Sequence, residues 1–117
     1  MKPIKVILSP EAEAAYKELN KLAKNSKIDK SILNSIKKKI DLIKINPHYG
    51  DPIAKKLIPK EYAIKYDITN LFRIELSNFW RMLYTLTDDQ TEVIVIAFIL
   101  DIIDHDEYDK KFGYNRK

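Results

Sequence analysis

The segment Asn70-Leu-Phe-Arg-Ile-Glu-Leu-Ser-Asn-Phe-Trp-Arg-Met-Leu-Tyr84 decides how the chain folds. Phe72, Ile74 and Leu76 alternate with Arg73 and Glu75, and beyond a short break Trp80, Met82, Tyr84 and Leu86 form a second alternating set. An apolar residue at every second position is the period of a half-buried strand. With Ser77-Asn78-Phe79 as the loop, Leu76 falls opposite Trp80, Ile74 opposite Met82 and Phe72 opposite Tyr84. That register gathers six apolar side chains on one face, and a slip of one residue would send a whole strand's set to the other. It also sets Glu75 directly opposite Arg81, with Arg73 beside them on the other face.

The flanks supply what covers this hairpin. Lys5 to Leu8 is a short β-branched strand. Ser9-Pro10-Glu11 opens a helix, with serine at the N-cap, proline at N1 and an acid in the first turn. Ala12, Ala15, Tyr16, Leu19, Leu22 and Ala23 then recur at helical spacing. Ser26 caps a second helix with a stripe of Ile28, Ile32, Leu33, Ile36, Ile40 and Ile43, ending near Asn46 because Pro47 disfavours αR before it. Two amphipathic helices with a short link make an antiparallel helical hairpin. His48 to Pro52 is a turn, and from Ile53 to Ile68 the pattern is weak enough for either a short helix or a loop. Thr87-Asp88-Asp89-Gln90 is a further turn. Val93 to Leu100 is apolar throughout, as for an interior strand covered on both faces. Asp104 to Phe112 is a charged surface helix with Gly113 at C′. The expected fold is α+β: an N-terminal strand and helical hairpin packed on a small, mainly antiparallel sheet, closed by a short C-terminal helix.

At 117 residues the chain favours one domain, residues 1–117, able to bury a core without staples. It has no cysteine, which excludes disulfides and thiolate metal sites and fits a cytoplasmic location. No apolar run approaches the ~18 residues of a membrane span. No His and carboxylate set has metal-ligand spacing, and there is no P-loop, dinucleotide fingerprint or Ser-His-Asp motif, so no cofactor is expected. The net charge is +4, unevenly spread. Residues 1–60 carry 14 lysines against 6 acids, giving +8, whereas residues 61–117 carry 7 basic residues against 11 acids, giving −4. A polyanion would be attracted to the first half, although a solvated lysine-rich surface accounts for the charge equally well.

The order of these pieces resembles the RelE/ParE superfamily of toxins from type II toxin–antitoxin pairs. Asn70-Leu-Phe-Arg73 followed by Trp80-Arg-Met-Leu-Tyr84 is similar to that family's strand, turn and aromatic-Arg-x-x-Tyr. Gly50-Asp-Pro-Ile-Ala-Lys-Lys-Leu57 resembles its Gly/Pro-Lys-x-Leu loop, and His105-x-x-Tyr108 its C-terminal segment. The resemblance implies a RelE-like, microbial-RNase-type fold and a small cognate antitoxin as partner. On the RelE side it implies metal-independent cleavage of mRNA on the ribosome, the RNA's 2′-hydroxyl attacking the adjacent phosphate. On the ParE side it implies poisoning of DNA gyrase by binding. Carried over residue by residue, Arg81 matches the arginine that holds the scissile phosphate, Arg73 falls near a family lysine, and Tyr108 matches the C-terminal tyrosine. Glu75 stands where another lysine is frequent. Asp101-Ile-Ile-Asp104 stands where RelE carries a further arginine, a role His105 is able to take.

In-line attack needs a base, an acid and cations on the phosphate. Arg81 and Arg73 suit the last task through their planar forks. For Arg81 the alternative is an ion pair with Glu75, and Glu75 in turn is either a base or the residue that orients Arg81. His105 titrates near neutrality and suits acid or base work; otherwise it is a solvated helix residue. Tyr108 stacks on a base or donates a proton, or packs with Phe112 on the helical hairpin. Lys55, Lys56, Lys60 and Lys65 cluster before the sheet and suit RNA backbone. The expectation is therefore a toxin that cleaves mRNA, with a ribosome and antitoxin as partners, no membrane, and a monomer or dimer when alone; the rival is a ParE-like binder without catalysis.

Overall fold

The computed structural model describes residues 3–89 and 94–113. Strand β1 (Ile4–Leu8) leads into helix α1 (Pro10–Leu22), then α2 (Lys27–Ile45). A two-residue strand β2 (Asp51–Pro52), a 3-10 turn over Lys55–Leu57 and helix α3 (Lys60–Tyr66) follow. The hairpin is β3 (Phe72–Glu75) and β4 (Arg81–Asp89), then β5 (Ile94–Ile103) and α4 (His105–Phe112). The sheet order is β1-β5-β4-β3-β2, with β1 parallel to β5 and the other pairs antiparallel. Among the described residues no helix is long and apolar enough to cross a membrane.

The capping chemistry acts as the sequence expects. Ser9 accepts from the Ala12 amide at the start of α1, and Ser26 from Asp29 at the start of α2. Asp104 caps α4 by accepting from Glu107, and Gly113 ends it at φ 72°. The hairpin register also holds: Phe72 faces Tyr84, Ile74 faces Met82 and Glu75 faces Arg81. Their apolar face joins the buried residues of α1 and α2 in one core, with Trp80 half-buried at its margin. Ile28 is the exception in the α2 stripe, lying exposed in the helix's first turn.

Two expectations are corrected. Thr87 to Asp89 are not a turn but the end of β4, paired to Ile96, Val95 and Ile94; Gln90 and Val93 lie outside the described residues. The last strand runs on to Ile103 rather than ending at Leu100. It does so through a break in register: Leu83 pairs with Asp101 and Tyr84 with Ile99, leaving Leu100 unopposed. Such a bulge resets which face each residue meets, so Ile99 and Ile102 both serve the helical face while Leu100 and Ile103 serve the other. That other face is itself covered, since Tyr62 of α3, Leu71, Leu83, Leu100 and Tyr108 of α4 form a second core.

Two local devices position the hairpin. The Asn70 carboxamide mimics a strand neighbour, donating to the Leu86 carbonyl and accepting from its amide. The loop Ser77–Phe79 closes with positive φ at both Asn78 (58°) and Phe79 (63°), a conformation that costs an L-residue about 1–2 kcal/mol and that asparagine tolerates better than phenylalanine. Gly50 sits under the Tyr84 ring: its amide donates to the Tyr84 hydroxyl at 3.0 Å, and that hydroxyl donates to the Pro47 carbonyl at 2.7 Å. A Cβ at Gly50 would lie 2.9 Å from Tyr84 Cε1 and 3.1 Å from the Arg73 carbonyl. Gly50→Ala is therefore expected to cost roughly 1–3 kcal/mol, read as a lowered urea midpoint; an unchanged midpoint would mean the loop gives way freely.

Candidate functional site

Arg73 on β3, Arg81 on β4 and Tyr108 on α4 converge at the end of the second core. Because α4 begins directly after β5, whose Ile103 lies opposite Arg81, the helix has no choice but to cross this end of the sheet. Tyr108 is 3% exposed and stacks on Phe112 with ring centroids 4.4 Å apart. Its hydroxyl accepts from Arg73 Nη1 at 3.2 Å, and the Arg81 guanidinium lies 5.3 Å from its ring centroid. The tyrosine thus props both arginines through different parts of one side chain.

Arg81 does not pair with Glu75, although the two backbones are opposite each other. Its Nη1 turns back to the Phe79 carbonyl at 2.8 Å, and among the described residues it makes no ion pair. An exposed Arg–Glu pair is worth only ~0–1 kcal/mol, less than an aromatic face and a carbonyl supply together. Arg73 has one weak carboxylate, Asp51 at 3.4 Å, which is exposed. The Tyr108 hydroxyl raises the Arg73 pKa further above its ordinary value, ahead of the smaller effect of Asp51, so this side chain stays cationic. The Nε atoms of both arginines are buried without a hydrogen-bond partner among the described residues. Two cations with one weak counter-charge among the described residues suit an oxyanion.

The other candidates are less close. His105 opens α4, half-exposed; its Nε2 is 3.4 Å from Asp109 Oδ2 and its ring centroid is 6.4 Å from that of Phe79. It meets the hairpin loop at the Phe79 ring. Glu75 is exposed and lines an open groove with Lys39, Tyr49, Asp51 and Arg73. Tyr108 packs on the face opposite the helical hairpin, so packing there is corrected, and its buried ring is not available to a base. The lysine cluster divides: Lys55 and Lys60 line one groove, Lys56 is exposed, and Lys65 is drawn to Glu11 of α1 instead.

Sequence reasoning missed the structural role of Asp101. Asp101 accepts from the Tyr62 hydroxyl at 2.6 Å and lies 3.7 Å from Lys111, which also pairs with Glu61. Burial raises the Asp101 pKa, against the opposing pull of Tyr62 and Lys111, and burial likewise pushes up the Tyr62 hydroxyl. This carboxylate fastens α3, β5 and α4 together. Only the polar interruption of an apolar run marked it.

The model of the ParE toxin of type II toxin–antitoxin systems, parDE, matches residues 6–101. The chain belongs to the ParE toxin family. Among solved structures, the YoeB/ParE toxin from Agrobacterium tumefaciens aligns with a TM-score of 0.56 at 14% identity, covering 86% of this chain and 98% of that one; at that identity the likeness is one of fold. No curated protein gives a significant match. Membership of the ParE family makes this chain a toxin of a type II pair, with a cognate antitoxin as its partner. The match stops at Asp101, so α4, with His105 and Tyr108, lies beyond it.

The Asp101 clasp generates a pH-dependent expectation. A carboxylate whose folded pKa is raised favours folding in its protonated form and loses that contribution as pH rises through the folded value. Tyr62→Phe removes the donor that best supports the ionised form. It should cost roughly 1–3 kcal/mol at pH 7 and distinctly less at pH 4, compared by urea denaturation at the two pH values.

Proposed function

We propose that this toxin is a metal-independent mRNA endonuclease acting on the ribosome. The observation that carries the reading is the Arg73–Tyr108–Arg81 convergence, in which Arg81 has no carboxylate to neutralise it among the described residues. Arg81 and Arg73 hold the scissile phosphate and stabilise the charge that develops as the 2′-oxygen attacks. Tyr108 sets the two guanidiniums rather than touching substrate. His105, at the exposed start of α4, protonates the leaving 5′-oxygen, and Glu75, the exposed carboxylate at the end of β3, takes the 2′-hydroxyl proton. Lys55, Lys56 and Lys60 steer the RNA backbone.

A second reading, binding of gyrase or another target without cleavage, is favoured by one observation: Asp101, in the Asp101–Asp104 stretch that resembles the place where RelE carries an arginine, is spent on holding Tyr62 and Lys111. Primer-extension mapping of mRNA ends after induced expression separates the two. Cleavage reads as codon-phased ends that fall by roughly 10²–10³-fold in Arg81→Ala and 10²–10⁴-fold in His105→Ala. Growth arrest with intact messages would overturn the nuclease reading and support the second.

A further inference from the structure

Phe79 stands apart from every other aromatic side chain of the described residues. It is 73% exposed, at the tip of the β3–β4 loop, and its φ is 63°. An exposed apolar side chain alone means little, and here the exposure comes with strain. Asn78 precedes it at φ 58°, where asparagine is well tolerated. A bulky aromatic residue with positive φ is an outlier, and glycine would close the same loop without strain. The strained backbone has two effects. The Phe79 carbonyl meets Arg81 Nη1 at 2.8 Å, and the ring stands beside His105, with most of its surface open. An open aromatic ring, a guanidinium and an imidazole therefore occur within the hairpin and the helix start next to it. Tyr108 cannot serve for stacking, since Phe112 and Arg81 cover it.

We infer that Phe79 is a stacking platform for an unpaired nucleobase of single-stranded RNA, next to the phosphate held by Arg81. Aromatic rings bind splayed bases through their faces, largely without regard to sequence. The platform fixes how the strand lies at the phosphate, making Phe79 a positioning residue. This inference rests on the RNA-cleaving reading above. It also explains why a residue that strains the loop occupies position 79.

The test measures affinity of the full chain for ribosomes programmed with a message whose A-site codon carries 2′-O-methyl groups, which block attack. Phe79→Leu is expected to weaken binding about tenfold, and Phe79→Trp to stay within about twofold of the parent. Removing the base next to the blocked phosphate should weaken the parent about tenfold and Phe79→Leu hardly further. Phe79→Gly should raise Tm by about 2–8 °C while losing affinity. Equal binding by Phe79→Leu, an equal loss in Phe79→Trp, or an abasic penalty undiminished in Phe79→Leu would each overturn the inference. So would a Phe79-dependent complex with gyrase. If cleavage by the parent is lost in Arg81→Ala but indifferent to Phe79, the platform fails and the nuclease reading stands; if the parent neither binds nor cleaves message, both fail.

Discussion

Ser9 is wholly buried, and its hydroxyl is used twice: it accepts from the Ala12 amide and donates to the Leu100 carbonyl at 2.7 Å. Its own amide donates to Ile99 at 2.8 Å. One residue therefore caps α1, ends β1 and holds β5 at the point where Leu100 has no opposite number. Without that irregularity the alternation of β5 would turn Asp101 toward the helical core and Ile102 away from it. With it, Asp101 meets Tyr62, Ile103 comes level with Arg81, and α4 starts where Tyr108 must fall between the two arginines.

The two faces of the sheet consequently have different tasks. The helical face is largely apolar and fixes the hairpin by packing, helped by the Tyr84 hydroxyl. The other is apolar in its middle and cationic at one end, and α4 is held across it by Tyr108, Phe112 and the Lys111 clasp. Arg81 is pre-organised by an aromatic ring and a carbonyl, neither of which takes away its charge, and Arg73 by the Tyr108 hydroxyl with only the exposed Asp51 as a weak counter-charge. A carboxylate in the same place would hold them as well and leave nothing for a phosphate.

The hairpin register, both helix caps of the first half and the extent of α4 were legible because each depends on neighbours a few residues away. That β5 is covered on both faces was legible in its apolar run, but what covers the second face was not, because Tyr62 and Tyr108 come from short helices far from Leu71, Leu83 and Leu100 in the sequence. Helix α3 has Pro59 at its N-cap and no side-chain capping bond, so it lacked the start signal that α1, α2 and α4 show. At the site, Arg73, Arg81 and Tyr108 were picked out together, but the pairing of Glu75 with Arg81 was inferred from register, and register does not specify where a long side chain turns. Phe79 passed as a loop residue because strain is invisible in composition.

The order of strands carries a consequence for the nascent chain. β5 sits between β1, the first strand made, and β4, so the sheet cannot close until the last strand has been synthesised. Tyr108 follows later still. A chain emerging from the ribosome that synthesises it holds Arg73 and Arg81 without the ring that sets them, and β4 without β5. The cationic site is thus assembled by the last part of the polypeptide, and a truncated translation product carries the arginines but not the arrangement.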